Sequence, residues 1–89
     1  MGTLSFTANL RRHVDCPPVM IGAGTVRDAL EVAFAVSPML RSYVLDDQGR
    51  LRKHVNIYVN DRLIADRAAQ ADRIGASDNV FVFQALSGG

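Results

Sequence analysis

Few side chains in this sequence are of the kinds that do chemistry, and none stands at a spacing that would support it. Cys16 could act as a nucleophile, yet no histidine lies at a diagnostic distance and Pro17-Pro18 follow directly, so a structural or incidental thiol is the simpler reading. His13 and His54 are isolated, and two histidines with one cysteine fall short of a zinc-type ligand set. Gly22-Ala23-Gly24 opens like a dinucleotide fingerprint, but Arg27 occupies the third glycine's place and no long strand leads in, which makes it a turn. Asp46-Asp47-Gln48-Gly49-Arg50 begins acidic, but the basic fifth position and the missing glycine at the sixth exclude an EF-hand loop. The last two residues are Gly88 and Gly89, and a terminal carboxylate, with an ordinary pKa near ~3.5, is an anion and a poor electrophile at neutral pH. It must be activated before anything can be joined to it.

The elements that would position this end are legible in the hydrophobic periodicity. Leu4, Phe6 and Ala8 alternate with Thr3, Ser5 and Thr7, which predicts an opening strand with one buried face. Pro17-Pro18 and Gly22 limit any strand near Val19-Met20-Ile21 to a short return arm. Thr25-Val26-Arg27-Asp28 is a Thr-x-x-Asp helix entry, and Val26, Ala29, Leu30, Ala33 and Phe34 form one apolar stripe that Ser37-Pro38 ends. A further helical turn is expected through Met39, Leu40, Tyr43 and Val44, then a polar turn over Asp46-Asp47-Gln48-Gly49. His54-Val55-Asn56-Ile57-Tyr58-Val59-Asn60 alternates as a second long strand. Leu63-Ile64 is at most a very short one, and the stretch from Arg67 to Gly75 reads as loop or a single helical turn.

The last strand is expected over Val80-Phe81-Val82-Phe83-Gln84-Ala85-Leu86. If Val80 and Val82 face the helix, Phe81 and Phe83 must point the other way, beside Tyr58. One helix covers one face of a sheet, so these rings are either covered by a loop or form a partner surface.

Composition narrows the function. At 89 residues the chain is one domain, and its 48% apolar and 21% charged content is that of a folded, soluble protein. The net charge of +1 speaks against a nucleic-acid footprint even though Arg11-Arg12 and Arg50-Leu51-Arg52-Lys53 are basic. The longest apolar run, Val32 to Val36, is far short of the ~20 residues that span a bilayer. No export signal or lipid anchor is indicated at the amino terminus. The expectation is a cytoplasmic protein without nucleic-acid or membrane partners, and without a metal site.

The pattern resembles the ubiquitin-like (β-grasp) sulfur carrier proteins of the MoaD/ThiS/CysO family, which include the small subunit of molybdopterin synthase, the thiazole-pathway carrier and a carrier serving a cysteine synthase. Three stretches carry the resemblance: Thr25-Val26-Arg27-Asp28-Ala29-Leu30, Val55-Asn56-Ile57-Tyr58-Val59-Asn60-Asp61, and Asp78-Asn79 through the last strand to Ser87-Gly88-Gly89. Two features depart from the family. Ser77-Asp78-Asn79 stands where members often have Gly-Asp, and no proline lies near Gln84-Ala85.

The resemblance implies an α+β, β-grasp fold with a mixed sheet of four to five strands packed on one main helix. It divides the chain into a domain over 1–84 and a flexible tail over 85–89. It implies no catalytic side chain and no bound cofactor, so that the protein is a carrier acted on by others. An E1-like adenylyltransferase would use ATP to adenylate Gly89, a sulfurtransferase or sulfide would convert the end to a thiocarboxylate, and a biosynthetic enzyme would accept the sulfur. The receiving pathway would make cysteine, thiamine, molybdopterin or a related metabolite. Gly88 and Ser87 would be the tail residues needed for activation, and Phe83, Phe81 and Tyr58 the docking patch. A ubiquitin-like protein modifier, joined to target lysines through the same Gly89, needs the same terminal chemistry; its own chain offers only Lys53 for self-linkage. A non-reactive interaction domain of the same fold is the third reading.

Overall fold

The computed structural model of the chain describes residues 2–7 and 17–84. Strand β1 (Gly2–Phe6) buries Leu4 and Phe6 and leaves Thr3 and Ser5 half-exposed, as its alternation requires. Strand β2 (Val19–Ile21) returns antiparallel, with Gly2 opposite Ile21 and Leu4 opposite Val19. It begins directly after Pro17-Pro18, which have no N–H to give a ladder.

Strand β3 (Gly24–Thr25) runs straight into helix α1 (Val26–Val36). Thr25 and Asp28 cap it reciprocally. The Asp28 amide donates to the Thr25 hydroxyl at 3.1 Å, and the Thr25 amide donates to the Asp28 carboxylate at 3.0 Å, so two donors that the first turn would leave orphaned are satisfied. The expected stripe of Val26, Ala29, Leu30, Ala33 and Phe34 is the buried face. A short helix α2 (Leu40–Val44) adds Leu40 and Val44 to the same core. In the turn that follows, the Asp46 carboxylate accepts the amides of Gln48 and Arg50.

Strands β4 (Val55–Val59), β5 (Arg62–Leu63), β6 (Arg73–Ile74) and β7 (Val80–Gln84) complete the described elements. The main sheet is mixed, in the order β2-β1-β7-β4-β5. β7 lies at its centre, parallel to β1 with Phe6 opposite Val82, and antiparallel to β4 with Ile57 opposite Val82. Leu4, Val55, Ile57, Val80 and Val82 pack on one side with Leu30 and Ala33 of α1. This is the expected four-to-five-strand sheet on one main helix.

Three boundaries differ from the sequence expectation. β4 begins at Val55, and His54 lies in the preceding turn. β5 is Arg62–Leu63, with Ile64 turned into the core and its amide donating to the Ile57 carbonyl at 3.0 Å. The stretch from Arg67 to Gly75 contains β6, which pairs with β3 so that Gly24 faces Ile74 and Thr25 faces Arg73. Two residues cannot display a period, so only the tertiary pairing reveals that strand. The same segment buries Gln70 completely. Its carbonyl oxygen Oε1 accepts from Arg27 Nη1 at 2.8 Å and its Nε2 donates to the Arg67 carbonyl at 2.8 Å, which ties the helix entry to the loop. The far end of the last strand, Ala85-Leu86, lies outside the described residues.

Two outcomes follow for stability. A Cβ at Gly2 would overlap the Asp78 carbonyl, whereas one at Gly22 meets nothing within 4 Å. Gly2→Ala should therefore lower the unfolding free energy in urea by about 1–3 kcal/mol, and Gly22→Ala should change it by less than about 0.5 kcal/mol.

Acid should also destabilise. Asp66 is held below its ordinary value by the amides of Ala69, Ala71 and Ala68, Asp78 by the Gly75 amide and Asn60, Asp46 by the amides of Arg50 and Gln48, and Glu31 by Arg27 and Arg41. A carboxyl depressed on folding contributes stability that is fully present above its unfolded value and lost as pH falls through its folded one. The urea midpoint should be level from neutral pH to about 5 and fall below about 4, and Asp66→Asn should flatten that acid limb.

Candidate functional site

The candidate site is the sheet face opposite the helices. Because β7 is central and its neighbours fix its register, Val80 and Val82 are fully buried while Phe81 and Phe83 are 37% and 45% exposed. Opposite Phe81 on β4 stands Tyr58, and opposite Phe83 stands Asn56. The Tyr58 and Phe83 rings meet edge to face, with centroids 5.4 Å apart and planes at 60°, the geometry that the ring quadrupoles favour. Leu63 is paired with Tyr58 and is 49% exposed; Ser5 is paired with Phe81. The result is a row across the sheet running Leu63, Tyr58, Phe81, Ser5, with Phe83 seated beside Tyr58.

Both ends of this face are pinned by polar contacts. Asn60 adopts φ 57°, a left-handed conformation that asparagine tolerates. Its side chain accepts the Asn79 amide at 3.1 Å and donates to the Asp78 carboxylate at 3.1 Å. With Asp61 it rims an open hollow against Tyr58, Phe81 and Phe83. At the other end Arg67 Nη1 donates to Asn56 Oδ1 at 3.0 Å and Nη2 donates to the Arg52 carbonyl at 2.7 Å. Gln84, the last described residue, stands opposite Val55 there.

All three residues expected in the patch, Phe83, Phe81 and Tyr58, are thus brought to one face. No described element covers the two phenylalanines. The other expected site residues, Gly89, Gly88 and Ser87, lie outside the described residues, as do Cys16 and His13. Sequence reasoning missed Leu63, Asn56 and Arg67. Leu63 could have been found by folding the chain back at Asn60-Asp61, which sets it across from Tyr58, whereas Arg67 reaches Asn56 only through the loop's tertiary path. The face offers rings, amides and a guanidinium, groups suited to binding another surface. Among the described residues no His, Cys, Asp and Glu side chains are grouped to hold a metal ion, and no helix is long and apolar enough to cross a membrane.

No family model matches the chain. A curated relative, small archaeal modifier protein 1 of Haloferax volcanii, is 35% identical over 68 residues, which span 76% of this chain and 74% of that protein. The crystal structure of the small archaeal modifier protein 1 of Haloferax volcanii superposes with a TM-score of 0.80 at 28% identity, covering 99% of this chain and 98% of that one. A chain in the crystal structure of the Amycolatopsis orientalis BexX/CysO complex superposes with a TM-score of 0.81 over 100% of both chains; at 19% identity this likeness speaks for the fold alone.

The two faces of β7 should respond differently to truncation. Phe83→Ala removes an edge-to-face contact and a half-exposed ring and should cost about 0.5–1.5 kcal/mol in urea unfolding. Val82→Ala opens the core and should cost about 2–3 kcal/mol. Equal losses would place Phe83 in the core.

Proposed function

The chain belongs to the ubiquitin-like β-grasp proteins of the MoaD/ThiS type, and from that premise we propose that it is a sulfur carrier whose reactive group is the carboxylate of Gly89. The observation that supports this most directly is the pairing of a Gly-Gly end with an exposed aromatic face on the strand that leads to it. The carboxylate oxygen attacks the α-phosphorus of ATP in the cleft of an E1-like adenylyltransferase, pyrophosphate leaves, and the end becomes an acyl-adenylate. Sulfide attacks the acyl carbon and AMP leaves, which gives a thiocarboxylate; the outer sulfur of a sulfurtransferase persulfide displaces AMP to give an acyl disulfide, whose S–S bond a thiol then cleaves, releasing the thiocarboxylate as a new disulfide forms. That sulfur is passed to a biosynthetic enzyme.

Each part of the chain has a physical role in this reading. Gly88 has no Cβ, so the backbone passes close to the walls of an enclosing cleft. From Ala85 to Gly89 an extended chain reaches roughly 16 Å at ~3.3 Å per residue, enough to enter a buried site while the domain stays outside. Ser87, which precedes the two glycines, is the other tail residue needed for activation. Tyr58, Phe81 and Phe83 supply the apolar centre of the docking surface, and aromatic residues of this kind carry a large share of interface binding energy. No side chain of the carrier needs to act as acid, base or nucleophile, since the activating enzyme provides the catalysis.

A second reading is favoured by one observation, that the 35% identical relative is named a modifier protein. In it the activated Gly89 carbonyl is taken by the amine of a target lysine and AMP is again released. The terminal chemistry is shared up to that step.

Intact mass spectrometry of the full chain, after incubation with the E1-like enzyme, ATP and a sulfur donor, should show a gain of about 16 Da as sulfur replaces oxygen. Chain found covalently joined to lysines of other proteins would favour the modifier, and an unchanged mass would count against both. Phe83→Ala should slow adenylation by about tenfold or more while the protein stays folded, and Gly88→Val should abolish it. Normal adenylation of Phe83→Ala would remove the patch from the reading.

A further inference from the structure

Beside the end of β7 the surface changes from aromatic to basic. Arg50, Arg52, Lys53, His54 and Arg67 line an open hollow in which Asp46 is the one acid. Four of the chain's ten basic residues and one of its nine acids lie here, a net +3 counting His54 as neutral, although the whole chain carries +1. The remaining residues of the sequence therefore sum to −2, and among the described residues positive charge is concentrated at this end of the sheet.

Two of these cations are held in place. Arg52 Nε donates to the Ser42 carbonyl at 2.8 Å, and Arg67 is fixed by its bonds to Asn56 and to the Arg52 carbonyl. Lys53 and Arg50 are exposed beside them, with Arg50 3.6 Å from Asp46. The array is continuous with the aromatic face, because Asn56, which anchors Arg67, stands opposite Phe83. It also borders the point where the chain continues towards Gly89, since Gln84 is opposite Val55, the residue after His54. A surface that covers Phe83 beside Gln84 therefore has this rim at its edge.

We propose that the basic rim of Arg50, Arg52, Lys53 and Arg67 docks against acidic side chains that border the cleft of the enzyme taking the carboxyl end. This rests on the carrier reading and adds to it the charge of the partner. An apolar centre edged by charge is the ordinary composition of a protein interface, and rim charges act chiefly on encounter and specificity. A nucleic-acid ligand fits less well, because the rim is short, merges with rings on one side, and belongs to a chain whose other residues sum to −2.

The test is adenylation kinetics, followed by exchange of labelled pyrophosphate into ATP, with the full chain and the purified E1-like adenylyltransferase of its own source. The variant is Arg50→Glu with Lys53→Glu, leaving Arg52 and Arg67 to their structural bonds. The KM for the carrier should rise by about tenfold while kcat stays within about twofold and the melting temperature is unchanged. The wild-type KM should rise between about 50 and 300 mM salt, and this dependence should be weaker in the variant. Arg50→Gln with Lys53→Gln should fall between the two.

If the wild type is adenylated but the variant keeps its KM, or loses kcat instead, the rim is overturned and the carrier reading stands. If the wild type forms no adenylate, the carrier reading fails and the rim fails with it. Tight, salt-dependent binding of a 20-nucleotide single strand that the variant loses, with KM unchanged, would assign the rim to nucleic acid and overturn the proposal.

Discussion

Successive side chains of a strand point to opposite faces, so Val80 and Val82 can be buried only if Phe81 and Phe83 are not. In an edge strand this would be a local matter. β7 is the central strand, hydrogen-bonded to β1 on one side and β4 on the other, so its alternation fixes the assignment of both neighbours. Leu4, Phe6, Val55, Ile57 and Val59 must turn to the helix side, and Ser5, Asn56 and Tyr58 to the other. A slip of one residue would exchange the whole set, exposing valines and forcing phenylalanines into a space filled by Leu30 and Ala33. The core and the outer patch are therefore two consequences of one register.

The ends of the sheet hold that register. At one end the Asn60 side chain bonds both Asp78 and Asn79, the Asn79 side chain accepts the Thr3 amide at 3.1 Å, and Gly2 lies so close to Asp78 that no side chain fits. At the other end Arg67 joins the loop before β6 to Asn56 on β4. The buried Gln70 then ties that loop to Arg27 at the start of α1. A buried amide left without partners would cost about 1–3 kcal/mol, so its bonds specify the loop's path as firmly as an apolar contact would. The loop that looked least structured thus links the helix to the aromatic face of the sheet.

Elements with a period or a cap were legible from residue types alone. The Thr25 and Asp28 pair, the stripe from Val26 to Phe34, and the alternations of β1, β4 and β7 all signal themselves within a few neighbouring residues. The resemblance to sulfur carriers supplied the arrangement, and the residues supplied which side of β7 is wet. β6 and the Gln70 contacts were not legible, because two residues cannot show a period and an amide's partners at Arg27 and Arg67 are set by the fold. The same limit applies to the basic rim. Arg50, Arg52 and Lys53 lie within four residues of sequence, and only the fold brings Arg67 beside them at the end of the sheet that carries Gln84 and Phe83.

In the carrier reading the reactive group belongs to the main chain, which poses a difficulty that a reactive side chain would not. A glycine end has no side chain by which a partner can recognise it, so selection must come from the folded domain some distance away. In that reading β7 connects the two, because its outer residues would face the partner and the sequence continues from it to Gly89. The distance between docking surface and carboxylate is then set by a count of residues beyond Gln84, whose position is fixed by pairing with Val55. Inserting or deleting tail residues would displace the carboxylate by roughly 3.3 Å each, with the rings and the rim unchanged. Recognition and reach are separate quantities in this design, and a carrier and a modifier can share both while differing only in the nucleophile that meets the activated end.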